Sequence, residues 1–341
     1  MGACSTVVRD GIVQVHSDPD VFSIEVPLWG CSLRALNCYV VRDGGEALVI
    51  DTGFRSRRGR EAIQSALAAL DVSLDETSLY MTHYHSDHSG LFQSLLPEDR
   101  PRYMSAVDKE LLVSFAGGEY EWYWSPFDDT GLPAGFSDDL QDQFDSSFED
   151  VAYARDHIIG LDEGATVRVG ACEFEMLAMP GHTPGNTCLY SPSEKLIFLG
   201  DHVLFDISPN VTYSPDFPHM LQSFLDSLRR VATLPIEAYF PGHRFNARGL
   251  TVAERAEELV VHHEGRLADI RAALMTHPEQ LSAYAITEQI PWVSRGKGFA
   301  GLDNLQKLFA LTETLAHLEL LLDRGEVARK KVGATMYYRL A

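Results

Sequence analysis

The alternation of apolar and polar residues along the N-terminal part of the chain predicts a series of short strands. Residues 11–16 read GIVQVH and residues 22–28 read FSIEVPL, and this period of two is typical of strands with one buried face. Residues 36–53 contain two apolar runs around a Gly-Gly turn, and the second run ends in VIDTG. A helical spacing follows over residues 56–72, and the next predicted strand, 78–82, runs into THYHSDHSG.

The middle of the chain continues this mixed pattern of strands and helices. Residues 166–182 and 186–204 each predict two strands around a turn, and EAYFPGH over residues 237–243 predicts a further strand. Apolar residues at helical spacing predict an amphipathic helix over residues 219–234. Several strands end in a polar residue carried by a loop, which is an order typical of an α/β sandwich.

The predicted pattern changes near residue 250 from mixed strands and helices to mainly helices, and we place a domain boundary there. A long helix is predicted with Thr251 as its N-cap and Glu254 at the spacing of a capping box. Helices are predicted over residues 281–290 and 305–327, and residues 327–341 predict a hairpin. Helix, helix and hairpin in this order are winged-helix-like. The two predicted domains are residues 1–250 and 251–341.

An aromatic, glycine-rich and acidic stretch interrupts the pattern at about residues 114–157. Insertions of this kind are usually functional or disordered, and this one is too aromatic for a disordered linker. Two interpretations stay open: a lid over a substrate pocket, or a local mini-core or contact in a homodimer. Under the first interpretation, three aromatic residues are candidates for substrate binding: Tyr120, Trp122 and Trp124.

Composition and charge narrow the class of protein. Of the 341 residues, 45% are hydrophobic and 23% are charged, which is close to the globular average and predicts a sizeable core. The formal net charge of -21 repels a phosphate backbone and disfavours nucleic acid as a partner. Five cysteines without a C-x-x-C pair fit free thiols in a reducing compartment. The absence of a signal-peptide pattern and of a bilayer-spanning apolar run leads us to expect a cytoplasmic protein with no membrane partner.

Three histidines and an aspartate are crowded into the segment THYHSDHSG. Unsatisfied polar groups packed this closely are costly, and a metal ion would satisfy them. Imidazole and carboxylate ligands suit zinc and also iron or manganese. Further polar residues follow apolar strands in MPGHTPGN, FLGDHV and YFPGHR. The candidate metal ligands are therefore His83, His85, Asp87, His88, His182, Asp201 and His243.

These motifs, taken in order, resemble those of the metallo-β-lactamase superfamily. THYHSDHSG matches the H-x-H-x-D-H motif of that family, and VIDTG, GHTPGN, the GD of FLGDHV and the GH of YFPGHR match its other motifs over about residues 11–250. The resemblance implies the α/β fold class, as a four-layer αββα metallo-β-lactamase sandwich with a C-terminal helical winged-helix-like domain. It also implies two divalent metal ions per chain, with zinc favoured and iron or manganese as alternatives.

The resemblance also implies a role for each candidate ligand. Asp51, at the end of VIDTG, would orient a ligand imidazole. A water between the two ions would lose a proton near neutral pH and attack a carbonyl, and Asp87 would accept a hydrogen bond from it. By this resemblance, the first metal would be bound by His83, His85 and His182. The second metal would be bound by Asp87, His88 and His243, and Asp201 would bridge both metals.

Two further residues border the predicted metal site and are candidates for substrate binding. They are His202 and Arg244, and the guanidinium of Arg244 would bind a carboxylate or phosphate, with a structural salt bridge as its alternative role. Within the superfamily, a histidine at position 85 is unlike the flavodiiron oxidoreductases, and an aspartate at position 201 resembles the glyoxalase II-like thioesterases. The glutathione-binding residues of glyoxalase II cannot be mapped onto this chain, which disfavours a glutathione thioester.

The leading functional prediction is hydrolysis of a thioester or ester, with a small-molecule acyl substrate such as an acyl-CoA or a lactone. The alternative is a metal-dependent phosphodiesterase or endoribonuclease, because two metals also suit phosphodiester cleavage and ARKKVGATMYYR is basic and aromatic. The net charge disfavours this alternative. A non-enzymatic binding module with a vestigial site is the third hypothesis, and the complete set of ligands disfavours it.

Overall fold

The structure is a computed structural model of the chain. It describes residues 6–9, 11–30, 33–116, 127–133, 135–136, 151–277, 279–292 and 298–341. Most of the predicted aromatic insertion lies outside these ranges, including Tyr120, Trp122 and Trp124. The lid and its alternatives therefore stay predictions.

Among the described residues, eight strands form the first sheet, and they follow one another in chain order from one edge to the other. They are β1 (Thr6–Arg9), β2 (Ile12–Ser17), β3 (Asp20–Pro27), β4 (Ala35–Asp43), β5 (Glu46–Ile50), β6 (Thr77–Tyr80), β7 (Arg102–Ser105) and β8 (Ile158–Leu161). Neighbours from β1 to β5 pair antiparallel, and neighbours from β5 to β8 pair parallel. The carboxyl ends of β5 and β6 therefore meet at one edge of the sheet.

In the described part of the chain, the helices that lie among the strands of this sheet are α1 (Arg57–Ala69), α2 (Ser86–Ser89), α3 (Ala106–Ala116) and α4 (Val151–His157). The helix α1 begins after its N-cap Ser56, whose hydroxyl accepts the backbone N–H of Gly59. Its apolar residues, among them Ile63 and Leu67, recur at helical spacing and are buried in one cluster with residues of β3 and β4. Residues of α3 and α4 belong to the same cluster, so α1, α3 and α4 cover one face of the first sheet.

The second sheet, as far as the structure describes the chain, has five strands: β9 (Thr166–Val169), β10 (Cys172–Ala178), β11 (Thr187–Ser191), β12 (Leu196–Gly200) and β13 (Ala238–Pro241). The spatial order is β13-β12-β11-β10-β9, antiparallel except for the parallel pair β12 and β13. The helix α5 (Met220–Ala232) connects that parallel pair. Its apolar side, which includes Phe224 and Leu228, is buried.

The two sheets pack face to face through a core that contains residues from both. Tyr39 of the first sheet lies with its ring centroid 5.5 Å from that of Phe198 and 5.4 Å from that of Phe240, both in the second sheet. Separate apolar clusters join the opposite face of each sheet to its helices. The order of layers is therefore helix, sheet, sheet, helix, which confirms the αββα sandwich expected from the sequence.

The C-terminal part consists of α6 (Val252–Thr276), β14 (Leu281–Ser282), α7 (Ala283–Gln289), α8 (Asn304–Asp323), β15 (Val327–Val332) and β16 (Thr335–Leu340). The capping box of Thr251 and Glu254 at the start of α6 is confirmed, as is the C-terminal hairpin. The helix predicted over residues 281–290 begins two residues later, because Leu281 and Ser282 pair with β16. Residues of α6, α7 and α8 share one apolar cluster with α5 and the second sheet.

Within the described ranges, Cys38, Cys172 and Cys188 are all free thiols. None of the helices in the described part of the chain combines the length and the apolar character that crossing a bilayer requires.

Candidate metal centre

The predicted ligands lie on loops that follow strands, and the fold brings these loops together. The segment 83–88 follows β6 and enters α2, whereas His182, Asp201 and His243 follow β10, β12 and β13. Loops that follow strands of both sheets therefore bring their candidate ligand atoms to one place. In three overlapping groups, these atoms lie within 4.8 Å of one another: His83, His85 and His182; Asp87, His88 and His243; and His83, His88 and Asp201.

The first group consists of three histidines. The Nε2 atom of His83 lies 3.1 Å from the Nδ1 atom of His85, and both rings stand edge-on to the ring of His182, at centroid separations of 4.9 and 4.6 Å. The Nδ1 atom of His182 lies 2.7 Å from the carbonyl oxygen of Asn210. Because a carbonyl oxygen can only accept, this Nδ1 carries the proton and Nε2 keeps a lone pair for a metal.

The second group combines a carboxylate with two histidines. The Nδ1 atom of His243 donates to the carbonyl oxygen of Ala35 at 2.9 Å, and the Nδ1 atom of His88 lies 2.8 Å from an oxygen of Asp51. Both rings thereby turn their Nε2 atoms to the centre of the group. An oxygen of Asp87 lies 3.3 Å from Nε2 of His243. All three ligand atoms therefore face one point.

Facing ring nitrogens make a cation the simplest partner for this arrangement. The Nε2 atoms of His88 and His243 lie 3.1 Å apart, and in the neutral rings both are acceptors, because both Nδ1 atoms carry the protons. Two acceptors at this distance repel each other unless a positive charge lies beside them. A tetrahedral zinc ion with Zn–N distances of about 2.0–2.1 Å holds two nitrogens about 3.3 Å apart. The donor set therefore fits a metal.

Asp201 lies between the two groups. Its Oδ1 atom is 3.4 Å from Nε2 of His88 and 3.5 Å from Nε2 of His243, and its Oδ2 atom is 3.8 Å from Nε2 of His182. Within the described ranges, Oδ1 of Asp201 and Nε2 of His182 are buried without a hydrogen-bond partner. Buried polar atoms are nearly always paired, so these two atoms are consistent with metal ligands.

Asp51 connects the ligand histidines to the rest of the sheet. It directly follows β5, and its carboxylate accepts the backbone N–H of Thr82 at 2.8 Å and the Thr82 hydroxyl at 2.9 Å. The same carboxylate accepts Nδ1–H of His88, and the Thr82 hydroxyl oxygen lies 3.0 Å from Nδ1 of His83. One buried carboxylate is thus linked to a ring of each group, directly to His88 and through the Thr82 hydroxyl to His83.

Asp51→Asn is expected to weaken metal binding, because an amide nitrogen in place of one oxygen would oppose either a donor of Thr82 or Nδ1–H of His88. Partners of this kind typically contribute about 10- to 100-fold to metal affinity. Zinc affinity measured by competition with a chromophoric chelator tests this expectation. Asp75→Asn, which changes an exposed aspartate, is the matched control. Equal affinities of the two variants would show that Asp51 orients no ligand.

Electrostatics divide the site into a neutral half and a negative half. Burial lowers the pKa of all three histidines of the first group, and that of His85 falls to about 3. Burial also disfavours the charged form of His88, but the carboxylates of Asp201, Asp51 and Asp87 outweigh it and raise its pKa well above the usual value. The rings of the first group are therefore neutral, and the carboxylates around His88 favour positive charge.

Several partners of the ligands were not predicted from the sequence. The carbonyl oxygens of Ala35 and Asn210 orient ligand rings, and a backbone acceptor has no residue-type signal. Gly242 lies so close to the site that a Cβ atom there would meet an oxygen of Asp201 at 2.7 Å and the His88 ring at 2.9 Å. Packing beside the candidate ligands therefore requires a glycine at position 242. The GH pair in the sequence was the available signal for this requirement.

Arg244 keeps its candidate role in substrate binding. It directly follows His243, its side chain is exposed, and its backbone has a left-handed φ of 56°. The Asn37 side chain fixes this turn by donating to the carbonyl oxygen of Arg244 at 2.8 Å. No described residue forms an ion pair with Arg244, so the alternative role as a structural salt bridge has no partner in the described part of the chain.

The structure argues against the predicted substrate-binding role of His202. The residue is completely buried, and its ring packs against the edge of Phe224 in α5, at a centroid separation of 5.5 Å. A substrate has no access to it in this conformation. The sequence placed His202 next to Asp201, but the burial of its side chain depends on the docking of α5.

A second group of potential ligands lies between α6 and α8. It consists of His262, His263 and Glu313. Here, however, the guanidinium nitrogen of Arg266 lies 3.4 Å from the carboxylate of Glu313, and Nδ1 of His263 lies 3.2 Å from Nε2 of His317. Because Arg266 already supplies the positive charge, we interpret this group as a packed polar network rather than as a metal site.

Comparison with known proteins agrees with this site. A sequence model described as the metallo-β-lactamase superfamily matches residues 32–243, which is more than half of the chain. The chain belongs to the metallo-β-lactamase superfamily. A second model, described as the C-terminal domain of metallo-β-lactamase-like proteins, matches residues 299–340. The resemblance inferred from the motifs is therefore confirmed, and proteins named as hydrolases are among the relatives.

Individual relatives extend the similarity over the whole chain. The probable metallo-hydrolase YqjP of Bacillus subtilis is 24% identical over 331 residues, which cover 94% of this chain and 98% of that protein. A β-lactamase domain protein from Burkholderia ambifaria has a crystal structure with a TM-score of 0.80 at 26% identity, covering 100% of this chain and 95% of that one. An atrochrysone carboxyl ACP thioesterase of Aspergillus fumigatus is 26% identical over 62% of this chain, which spans about half (51%) of that protein.

Proposed function

We propose that this protein is a dinuclear metal-dependent hydrolase that cleaves a thioester or ester, with an acyl-CoA or acyl-carrier thioester as the first candidate. The observation that supports this proposal most strongly is the placement of Asp201 between two groups of three ligands. A bridging carboxylate holds two ions close together, which is the arrangement that activates water in two-metal hydrolases.

The donor set favours particular metals. Three imidazoles with one shared carboxylate are ligands typical of zinc, and the mixed carboxylate and imidazole ligands of the second group also suit iron or manganese. Two divalent ions held there would supply a nucleophile derived from water near neutral pH and would polarise a substrate carbonyl. The remaining tasks of orienting water and binding substrate belong to the side chains.

Asp87 is the residue we propose to orient the attacking water. Its side chain keeps 15% of its exposure, whereas those of His88 and His243 are fully buried, so its carboxylate lies on the open side of the site. Burial favours the protonated form, but the neighbouring His88 and His243 hold the pKa of Asp87 at about 2. The carboxylate is therefore ionised at neutral pH and can accept a hydrogen bond from water.

The proposed substrate class rests on Arg244 and on one relative. Acyl-CoA and acyl-carrier thioesters bear phosphate groups, which an exposed guanidinium beside the metal ligands would bind. The relative from Aspergillus fumigatus is named as an acyl-carrier thioesterase, which favours the same bond type. The aromatic residues Tyr120, Trp122 and Trp124 remain candidates for contacts with the acyl group.

A panel of substrates tests the proposal. Zinc-loaded protein is expected to hydrolyse an acyl-CoA thioester, with a lactone next in order, and to leave bis-p-nitrophenyl phosphate intact. Because Arg244 is proposed to bind phosphate, Arg244→Ala is expected to raise KM for acyl-CoA by about tenfold, the effect of losing a hydrogen bond to a charged group. The KM for a thioester of N-acetylcysteamine, which has no phosphate, is expected to stay unchanged. Turnover of the phosphodiester without turnover of any thioester would instead favour the phosphodiesterase alternative.

A further inference from the structure

Asp108 is a buried carboxylate that lies outside the predicted ligand set. It belongs to the first turn of α3, where its backbone N–H donates to the hydroxyl of Ser105 at 3.1 Å. Its side chain is completely buried and points away from the helix. Carboxylates are rarely buried without partners, so the groups that contact Asp108 indicate what it does.

Three donors from two separate loops bind the Asp108 carboxylate. One oxygen accepts the backbone N–H of Tyr84 at 3.0 Å and the hydroxyl of Thr183 at 2.7 Å. The other oxygen accepts the backbone N–H of Gly185 at 2.7 Å. Burial raises the pKa of Asp108 to about 7, and the three donors act in the opposite direction. Hydrogen bonds to an ionised acceptor are the strong kind.

The two loops are those that carry the first group of histidines. Tyr84 lies between His83 and His85, and Thr183 directly follows His182. The first loop leaves the first sheet after β6, and the second leaves the second sheet after β10. One carboxylate therefore links the two chain segments whose relative position decides whether three imidazoles can share an ion.

Packing leaves little freedom at this junction. A Cβ atom on Gly185 would meet Oδ1 of Asp108 at 2.5 Å and the hydroxyl of Ser105 at 2.4 Å, and that hydroxyl donates to the carbonyl oxygen of Gly185 at 2.7 Å. A hydrogen bond that does not involve Asp108 also connects the two segments, since the backbone N–H of Thr187 donates to the carbonyl oxygen of Thr82 at 3.0 Å. Loss of Asp108 should therefore loosen the junction without separating the loops.

We infer that Asp108 is a positioning residue that holds the two loops of the first ligand group in register, and this inference rests on the metal centre of the proposed function. The second ligand group depends on other contacts, namely Asp51 for His88 and the carbonyl oxygen of Ala35 for His243. Asp87 and His88 follow Tyr84 in the same segment, but their group also depends on these other contacts. We therefore expect the larger effect of Asp108 at one of the two metal-binding steps.

Stepwise zinc titration of the intact protein against a chromophoric chelator tests this asymmetry. Asp108→Asn, which is isosteric but faces one donor with an amide N–H, is expected to weaken one binding step by about 10- to 100-fold, as partners of metal ligands typically do. The other step is expected to weaken by a smaller factor. His182→Ala, which lacks a ligand of the first group, identifies which step belongs to that group, and Asp108→Asn must affect the same step.

Two further variants keep the inference falsifiable. Thr183→Val removes only one of the three donors and is expected to weaken the same step to a smaller degree, which serves as the test if Asp108→Asn does not fold. Glu313→Gln changes a buried carboxylate of α8 and is expected to leave both steps unchanged. If folded Asp108→Asn shows unchanged zinc affinity at both steps, or an equal loss of affinity at both, the positioning role of Asp108 is wrong. Fewer than two ions in the unchanged protein would instead overturn the proposed metal centre.

Discussion

Asp201→Ala is expected to retain at most one tightly bound divalent ion per chain and to lose hydrolytic activity by more than about 100-fold. Mutation of groups that merely orient metal ligands typically reduces affinity or activity by about 10- to 100-fold, and under the proposed dinuclear centre Asp201 would be a ligand of both ions. Its two oxygens face His182 on one side and His88 with His243 on the other. Removal of the carboxylate would also take away negative charge that offsets the repulsion between two bound dications.

Metal content by inductively coupled plasma mass spectrometry, together with turnover of an acyl-CoA, measures both effects. Asp206→Ala is the matched control, because Asp206 lies on the same loop but is exposed. This control is expected to bind two ions and to keep its activity. Two ions per chain in Asp201→Ala would show that the bridging assignment is wrong.

Removal of the metals by a chelator is expected to abolish hydrolysis and to lower the thermal stability of the protein. The candidate ligands lie on loops that follow strands of both sheets, so bound ions would join the two halves of the sandwich and would stabilise only the folded state. A ligand present at a thousandfold excess over its Kd contributes about 4 kcal/mol of stability. For a chain of this size we expect a decrease in Tm of roughly 5–10 °C.

Differential scanning fluorimetry and the thioester assay follow the two effects in one sample. Zinc is expected to restore both Tm and activity, whereas calcium, which prefers oxygen ligands in larger numbers, is expected to restore neither. An apoprotein with unchanged Tm and unchanged activity would contradict a metal centre that links the sheets.

Much of the candidate site could be predicted from the sequence because most of its ligands share a local context. His83, His85, Asp87 and His88 are close in the chain, and a turn after a strand is enough to bring them together. The distant ligands each follow an apolar strand, so the alternation that predicted the strands also placed their polar ends at the edges of the sheets. Asp51 was found for the same reason, since β5 is apolar up to the residue before it.

The remaining features depend on contacts between segments far apart in the chain. Asp108 looks like an ordinary residue of a first helical turn, and only the folded chain shows that its carboxylate reaches Tyr84 and Gly185. His202 follows Asp201 in the sequence, but its side chain is buried and packs against Phe224 of α5. Short motifs therefore predict which residues can bind metal, whereas tertiary packing decides which of their neighbours remain accessible.

The zinc content of the intact protein, measured after dialysis to equilibrium at a free zinc concentration that saturates tight sites, tests the central claim most directly. The two groups of ligands on either side of Asp201 predict two zinc ions per chain. A content of one ion or none per folded chain would contradict the dinuclear centre and, with it, the proposed hydrolytic mechanism.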